Sequence, residues 1–384
     1  MRSNAGRLLV VFAACLLLLP LMAACGGGGE ENAFKVKSEV VTDAAYPTAL
    51  AFAPDGRLFY AEQFTGNIRV VNADGKLESE PFAHVDAFEE GIFIEWGLMG
   101  MALDPEFQNN GYVYVYYTQL VDAGPPQVVK SVVARLKKGS NPEVLIGDLA
   151  QGSSFVNIAG NINFGPDGFL YVSVGDHDVF PSAQDLSVPQ GKILRVDKET
   201  GKAAPGNPFA GQANADPRIF AYGFREDFDF VFHPKSGQLY GTDQTPVSCS
   251  ELNNIEKGKN YGWLYGEFPW SDCSAGVGTH AIHYFAKERQ EPGVFLSFTN
   301  PRGMSFISGA TYPLIGDALV VCERETKLLR RLTLGGAAMD QVVADDPVLK
   351  DCLLDAVTSP NGALYYSNDK EIRRLVQEPI ETKQ

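Results

Sequence analysis

One phrase recurs along this chain and constrains its fold more than any other feature. Four close copies and two looser ones place a proline and a glycine turn before a run of alternating large apolar residues. This order describes a strand that ends, a tight turn and a second strand that begins, so each copy predicts a β-hairpin. The close copies occupy residues 52–63, 164–178, 232–244 and 359–369, and the looser ones occupy 102–118 and 307–323.

The spacing of these copies predicts the architecture. Successive turn glycines stand 46 to 79 residues apart, which leaves room in each unit for two further strands. A four-stranded unit of this length is typical of a propeller blade, and the sequence shows no long helical periodicity. We therefore predict an all-β fold, a six-bladed β-propeller in one domain over 35–378, with a short tail over 379–384. The turn glycines are Gly56, Gly111, Gly168, Gly237, Gly316 and Gly362.

Residues 1–24 predict a lipoprotein signal peptide. Arg2 and Arg7 give a basic start, an apolar run follows, and two alanines precede Cys25. Cys25 is the expected lipidation site, and residues 25–34 form a glycine-rich tether. The alternative is a secretory signal with an incidental cysteine. We expect an exported lipoprotein, anchored to the bacterial membrane, at the cell surface or in the periplasm.

The net charge of −15 limits the partners. An acidic surface repels phosphate backbones, so we expect no nucleic-acid partner, and membrane contact only through the N-terminal lipid. A small-molecule ligand fits a propeller channel, and we expect a monomer or a homodimer.

Four cysteines remain after the signal and the lipidation site, an even number for an oxidising compartment. The four cysteines can pair in three arrangements of two bridges. We favour the arrangement in which each bridge closes a loop of a few tens of residues, Cys249 with Cys273 and Cys322 with Cys352.

Only the third repeat ends in Asp176, His177 and Asp178. These residues follow a strand, in a connection that lies on one face of a propeller. Polar loop residues on a common frame are where a site is expected. A carboxylate beside an imidazole raises its basicity, so His177 with Asp176 is a candidate acid-base group. The alternative is a surface loop histidine whose flanking acids cap the turn.

Beyond the repeats, the order of several motifs resembles the glucose/sorbosone dehydrogenase family of soluble quinoprotein sugar dehydrogenases. EWGLMGMALDPEFQNNGYVYVYYT at 95–118 is similar to the family's second-blade signature. The motifs AQDLSVPQGKILRVD at 183–197, AYGFRED at 221–227 and SELNNIEKGKNYGW at 250–263 follow in the family's order. The resemblance covers most of the chain after the signal.

This resemblance implies a propeller that binds pyrroloquinoline quinone (PQQ) and calcium and oxidises a sugar or a related alcohol or aldehyde. The family's catalytic His position falls on Asn157, whose amide cannot accept a proton. His177 is the nearest substitute. Arg225 stands where the family has its active-site arginine, and a guanidinium suits a carboxylate clamp. The alternative for Arg225 is a structural salt bridge.

The resemblance also assigns cofactor and metal positions. Gln244 matches a cofactor contact, and the backbone carbonyls of Thr245 and Pro246 match calcium ligands. A second, structural calcium site maps onto Glu251 and Tyr261. The alternative for Glu251, and for Asn253, Asn260 and Trp263 around it, is a purely structural role in the blade.

The resemblance departs from the family near the end of the chain, where two cofactor-binding arginines become Cys352 and Leu354. Lys327 and Arg331 are candidate replacements, or else lie on the outer face of a strand. Two other functions therefore stay open: an inactive propeller that binds a carbohydrate or a protein, and a metal-dependent propeller lactonase.

Overall fold

The computed structural model describes residues 35–88, 95–154, 156–179, 181–245, 249–263, 278–285 and 299–378. Within these residues 24 strands form six four-stranded antiparallel sheets. Each sheet is one blade of a propeller, with its first strand innermost. The predicted six-bladed all-β fold is confirmed.

The blades follow one another along the chain. Blade 1 comprises β2 (Pro47–Phe52), β3 (Leu58–Glu62), β4 (Asn67–Val71) and β5 (Ala83–His84). Blade 2 comprises β6 (Leu98–Leu103), β7 (Val113–Asp122), β8 (Val128–Leu136) and β9 (Glu143–Gly152). Blade 3 comprises β10 (Ala159–Phe164), β11 (Leu170–Val174), β12 (Lys192–Val196) and β13 (Ile219–Tyr222). Blade 4 comprises β14 (Asp227–Phe232), β15 (Leu239–Asp243), β16 (Glu251–Ile255) and β17 (His283–Tyr284). Blade 5 comprises β18 (Pro301–Ile307), β19 (Ala318–Glu323), β20 (Leu328–Gly335) and β21 (Gln341–Lys350).

Blade 6 closes the ring with strands from both ends of the propeller. It comprises β22 (Ala356–Thr358), β23 (Leu364–Ser367), β24 (Glu371–Gln377) and, outermost, β1 (Val36–Asp43). β1 pairs antiparallel with β24, from Val36 opposite Gln377 to Asp43 opposite Glu371, with a register shift between Val40 and Thr42. The first strand therefore completes the last blade, and backbone hydrogen bonds between β1 and β24 hold the two ends of the propeller together.

The predicted hairpin turns lie between the first two strands of every blade. All six turn glycines have a positive φ, from 69° at Gly111 to 88° at Gly56. Residues with a side chain rarely adopt this conformation, which explains why glycine recurs at the same place in each repeat.

Apolar clusters between neighbouring blades form the core. β11 is buried along its whole length, and its side chains alternate. Leu170, Val172 and Val174 pack in a cluster with blade 2, whereas Tyr171 packs in a cluster with blade 4. Strands that are buried on both faces lose the polar alternation of a surface sheet and are apolar throughout.

Helical structure is limited, in the part of the chain that the structure describes, to two short turns, α1 (Phe107–Asn110) and the 3₁₀ helix Ser182–Gln184. Among the same residues, no helix is long and apolar enough to cross a membrane.

The disulfide between Cys322 and Cys352 is present, with a Cα to Cα distance of 5.0 Å, and this prediction is confirmed. Cys273 lies outside the described residues, so its pairing with Cys249 stays a prediction. Cys25 and Pro246 also lie outside them.

The loops that follow the second strands meet the segments that precede the inner strands. The amide of Asp176 donates to the carbonyl oxygen of Arg225, and the amide of Gln244 donates to that of Glu226. In blade 5 the amide of Arg324 donates to Asn300 in the same way. We call this end of the central channel the channel mouth; it is the end at which Asp176, Arg225 and Asn300 lie.

Candidate functional site

The loop after β11 is held at the channel mouth by its backbone. The amide of Gly175 donates to Ile158, and that of His177 donates to Asn157. A Cβ atom on Gly175 would stand 1.9 Å from the carbonyl oxygen of Asn157, so only glycine permits this approach. Asn157, His177 and Asp178 all have a φ between 52° and 59°. Left-handed backbone at three non-glycine residues is characteristic of strained functional loops.

Asp176 is the best-anchored carboxylate of the site and is only 1% exposed. One oxygen accepts from the Asn157 side-chain amide at 2.8 Å and from the amide of Asp178 at 2.9 Å. The other accepts from the indole Nε1 of Trp263 at 2.7 Å. Burial raises the pKa of Asp176, and these donors oppose that effect. The structure thus brings Asn157, Asp176 and Trp263 together in one network.

His177 is buried next to this network, but neither flanking acid acts on its imidazole. Burial alone lowers the pKa of His177 to about 4. The carboxylate of Asp176, which we expected to raise the basicity of His177, is taken up by Asn157 and Trp263 instead. In the described part of the chain, Nε2 of His177 has no hydrogen-bond partner. His177 is therefore a neutral side chain with a free ring nitrogen and is a weak base.

Arg225 connects blades 3 and 4 at the channel mouth. Its Nη1 donates to the carbonyl oxygen of Gln244 at 2.9 Å, and its guanidinium lies 5.7 Å from the centre of the Trp263 ring. The same Nη1 stands 3.9 Å from a carboxylate oxygen of Glu226, too far for a hydrogen bond. Arg225 and Gln244, both predicted cofactor contacts, thus lie beside each other.

Two buried glutamates lie next to these residues. Glu226 is 1% exposed and Glu95 is 8% exposed. Burial raises the pKa of Glu226 well above its usual value, and the charge of Glu95 raises it further. Burial also raises the pKa of Glu95, which accepts a hydrogen bond from the amide of Ile158 at 3.4 Å. Two close carboxyls in a poorly solvated site resist ionising together.

Arg302 is a second buried cation at the channel mouth, and our sequence analysis did not identify it. It lies on β18, is 2% exposed, and donates from Nε to the side-chain oxygen of Asn300 at 3.0 Å. Its guanidinium lies 3.6 Å from the ring centre of Phe228. Glu226 and Glu95 both act electrostatically on Arg302, from blades 4 and 2. Its position in the sequence was the one feature that could have identified it. Arg302 lies at the start of an inner strand, and Arg225 lies just before another inner strand.

Several buried polar atoms at the channel mouth have no hydrogen-bond partner within the described ranges. Buried polar groups are paired in most folded proteins, so a concentration of unpaired ones at one place is typical of a ligand site. Besides Nε2 of His177, they are Oε1 of Glu226, Oε1 of Gln244, Oγ1 of Thr245 and Nη2 of Arg302.

The predicted metal ligands are more dispersed. Thr245 is buried beside Gln244, and Pro246 lies outside the described residues. Glu251 is buried on β16, where burial and the charge of Asp243 raise its pKa. The hydroxyl of Tyr261 donates to the carbonyl oxygen of Asn254. No group of three or more histidine, cysteine or acidic side chains in the described residues is arranged to hold a metal ion.

The two predicted late cations both lie in blade 5. Arg331 is on β20 and pairs with Asp346 of β21 at 2.8 Å, on the outer half of blade 5. Lys327 is exposed in the turn between β19 and β20. Cys352 and Leu354, at the positions of the family's two arginines, are buried and apolar.

Comparison with known proteins adds independent observations. The model of the glucose/sorbosone dehydrogenase family matches residues 44–377. Aldose sugar dehydrogenase YliI of Escherichia coli (strain K12) is 27% identical over 352 residues, which cover 89% of this chain and 92% of the relative. Quinoprotein glucose dehydrogenase B of Acinetobacter calcoaceticus is 29% identical over 255 residues, covering 59% of this chain and 52% of the relative.

A further relative is not named as a dehydrogenase. The human Hedgehog-interacting protein is 29% identical over 270 residues, which cover 60% of this chain and 37% of the relative. Among solved structures, an oxidoreductase of Thermus thermophilus, described as a glucose dehydrogenase, is 29% identical with a TM-score of 0.73. That match covers 89% of this chain and the whole of the other.

Proposed function

Because the chain belongs to the glucose/sorbosone dehydrogenase family, we propose that it oxidises a sugar or a related alcohol or aldehyde at the channel mouth, with PQQ as cofactor and calcium beside it. The observation that carries this proposal is the set of unpaired buried polar atoms on Glu226, Gln244, Thr245 and Arg302 in the described residues. These atoms converge on one end of the channel, where a polar ligand would satisfy them.

The donor set fits an anionic cofactor. PQQ carries three carboxylates, and a guanidinium is the side chain best suited to a planar carboxylate. At the channel mouth Arg225 supplies a half-buried guanidinium group and Arg302 a buried one, and Arg302 has an unpaired N–H in the described structure. This chain has Cys352 and Leu354 where the family has two late arginines. Arg302 supplies a positive charge that could replace part of this loss.

The residues of this chain would position and polarise the reactants. When bound, PQQ supplies a two-electron acceptor for the hydride that leaves the substrate carbon. Arg225 and Arg302 would hold the cofactor carboxylates and stabilise developing negative charge. Asp176, fixed by Asn157 and Trp263, keeps the loop after β11 in place at the edge of the site.

Calcium would be bound largely through backbone oxygens. The carbonyls of Thr245 and Pro246 are the proposed ligands, with Gln244 beside them, because calcium prefers several oxygen ligands and accepts carbonyls readily. Glu251 and Tyr261 stay the proposed second, structural calcium site. The unpaired side-chain oxygens of Gln244 and Thr245 in the described structure support an oxygen-rich environment there.

Calorimetric titration of PQQ into the protein lacking residues 1–24, with calcium and then with a chelator, tests this function. We expect calcium-dependent binding at micromolar concentration or tighter, followed by dye-linked oxidation of one or more aldoses. The absence of binding in both conditions would reject the dehydrogenase proposal.

The second candidate is a propeller that binds a carbohydrate or a protein without redox chemistry. Asn157 in place of a basic histidine and the relationship to the human Hedgehog-interacting protein favour it. PQQ-dependent oxidation of the ligand distinguishes the two functions, because only the dehydrogenase requires PQQ and changes its ligand chemically.

We also propose that the protein is exported and anchored through a lipid on Cys25, on the basis of the signal sequence. Cys25→Ser should abolish incorporation of labelled palmitate and release the propeller into the soluble fraction of the envelope. Incorporation that survives the substitution would contradict this anchor.

A further inference from the structure

The residues at the expected base positions are poor proton acceptors. Asn157 cannot accept a proton, and burial lowers the pKa of His177 to about 4. Dehydrogenation of an alcohol nevertheless requires a base for the hydroxyl proton. The structure offers another group at the channel mouth that can do this.

We propose that Glu226, with the buried carboxyl of Glu95 as its neighbour, is the general base that accepts the substrate's hydroxyl proton. This inference rests on the proposed dehydrogenase function and assigns a residue that the family resemblance does not. It concerns the same site and the same ligands, a sugar hydroxyl and a quinone cofactor.

The backbone holds Glu226 firmly at the channel mouth. Its amide donates to the carboxylate of Asp243 at 2.7 Å, and its carbonyl oxygen accepts from the amide of Gln244 at 3.1 Å. One carboxylate oxygen lies 3.9 Å from Arg225, and the other, Oε1, has no partner in the described structure. A base needs a carboxylate oxygen that is not already hydrogen-bonded, and Oε1 meets that requirement in the described structure.

Glu95 places the pair beside the position of the missing histidine. It accepts a hydrogen bond from the amide of Ile158, the residue that follows Asn157. Glu95 and Glu226 come from blades 2 and 4, on either side of Asn157 in blade 3. The position of the missing histidine therefore lies between the two glutamates, and Glu226 directly follows Arg225 in the chain.

The charges around the pair set its protonation. The carboxylates of Glu95 and Asp243 oppose ionisation of Glu226, whereas Arg302 and Arg225 favour it. Arg302 and Arg225 favour ionisation of Glu95 as well. The negative charge of Glu95 thus raises the pKa of Glu226, and the positive charges of the two arginines lower it. A base with a raised pKa lies closer to the working pH and is correspondingly more effective.

A purely structural salt cluster would have a different geometry. Buried ion pairs stabilise a fold only when the charged groups hydrogen-bond one another closely. Here Oε1 of Glu226 and Nη2 of Arg302 are both buried and lack partners within the described residues. The two unpaired atoms do not hydrogen-bond each other, so each is left for a ligand at the channel mouth to satisfy.

In the proposed step, the hydroxyl proton would pass to Oε1 of Glu226 as the O–H bond breaks and the carbon–oxygen double bond forms. The hydrogen on that carbon would leave with two electrons as a hydride, for which an o-quinone cofactor would be the acceptor. Glu226 would then return its proton to solvent.

Glu226→Gln, Glu95→Gln and the control Glu143→Gln test the proposal in the full mature chain. Glu143 is an exposed glutamate on blade 2 that pairs with Arg135. We expect Glu226→Gln to lower kcat/KM at least ~100-fold, the lower end of general-base effects, while PQQ binding is unchanged or tighter. Glu143→Gln should retain wild-type activity. A Glu226→Gln enzyme within about threefold of wild type would overturn the proposal, since general-base effects are far larger.

Two pH measurements separate a base from a positioning residue. Glu95→Gln removes a negative charge next to Glu226, so the acidic limb of the kcat/KM profile should move to lower pH. In the cofactor-free protein, the raised pKa of Glu226 makes stability fall as pH rises, and Glu226→Gln should lack that contribution. An acidic limb unmoved by Glu95→Gln contradicts Glu226 as the base beside Glu95, even if Glu226→Gln fails to fold.

The outcomes distinguish this inference from the function on which it rests. A wild-type protein that neither binds PQQ nor oxidises sugars rejects the proposed function and the base together. A wild-type protein that does both, with an active Glu226→Gln variant, rejects the base alone.

Discussion

The carboxylate of Asp176 accepts a 2.7 Å hydrogen bond from the indole of Trp263, a residue 87 positions later in the chain. The bond ties blade 3 to the segment that follows blade 4's third strand. Trp263→Phe leaves a buried carboxylate oxygen without its donor, which should lower the free energy of unfolding by about 2 to 3 kcal/mol. Urea unfolding followed by circular dichroism at neutral pH measures this change.

Trp96→Phe is the matched control for that experiment. Trp96 is as buried as Trp263, at 3% exposure, but its indole donates to the neutral carbonyl of Ser154 at 3.2 Å. A bond to a neutral acceptor contributes about 1 kcal/mol, so Trp96→Phe should cost less. Equal losses in the two variants would show that packing, rather than the bond to Asp176, determines the effect.

Arg302 should contribute more to cofactor binding than any late arginine of the sequence. Arg302→Gln removes a buried charge at the channel mouth and should weaken PQQ binding about 30-fold, equivalent to about 2 kcal/mol. Arg331→Gln, whose parent side chain pairs with Asp346 on the outer strands, should leave the affinity nearly unchanged. Calorimetric titration of PQQ into both variants measures these affinities. A larger loss of affinity for Arg331→Gln than for Arg302→Gln would show that Arg331, rather than Arg302, binds the cofactor.

The repeats predicted the blades because each turn needs a residue that accepts a positive φ and each strand needs large apolar side chains. Gly168 and the strand after it illustrate both requirements, and they are local properties of the sequence. The site depends on residues from different blades. Asn157, Asp176 and Arg225 could be placed because they occupy recognisable positions in familiar motifs.

The remaining site residues could not be predicted from local patterns. Arg302 lies outside the motifs that resemble the family, and its importance comes from burial and from charges on blades 2 and 4. The effect of Asp176 on His177 was expected from their adjacency, but neighbouring side chains in a left-handed loop need not contact each other. Trp263 takes the Asp176 carboxylate, which only the folded chain reveals.

Loss of the disulfide between Cys322 and Cys352 should destabilise the propeller. The bridge joins residues 30 positions apart, and chain entropy predicts about 3 to 4 kcal/mol for a loop of that size. The double variant Cys322→Ala, Cys352→Ala should lower the free energy of unfolding by about that amount in guanidinium chloride. A loss below about 1 kcal/mol would contradict the entropic account.

Reductant extends the same experiment to the second predicted bridge. The double variant lacks Cys322 and Cys352, so any further loss of stability on reduction reports another disulfide. We expect such a loss from the predicted pairing of Cys249 with Cys273. A variant that does not respond to reductant would contradict that pairing.

Asp229 and Asp355 make the stability of the channel depend on pH. Both line a cavity of about 370 Å³ along the channel, between the inner strands. Asp355 accepts from the amides of Leu50 at 2.6 Å and Ala356 at 2.7 Å, but burial raises its pKa to about 7. Burial and the charge of Asp355 also raise the pKa of Asp229.

A raised carboxyl pKa means that the folded state binds more protons than the unfolded state between about pH 4 and pH 7. The contribution of Asp355 to stability is therefore greatest below the pKa of the carboxyl in the unfolded chain. It is lost as the pH rises through about 7, by up to about 1.4 kcal/mol per pH unit for one proton. Asp355→Asn should flatten this slope in urea unfolding measured from about pH 5 to 8, whereas the exposed turn variant Asp74→Asn should keep it. Parallel curves for wild type and Asp355→Asn would show that Asp355 is ionised in the folded protein, its charge balanced by the two backbone amides.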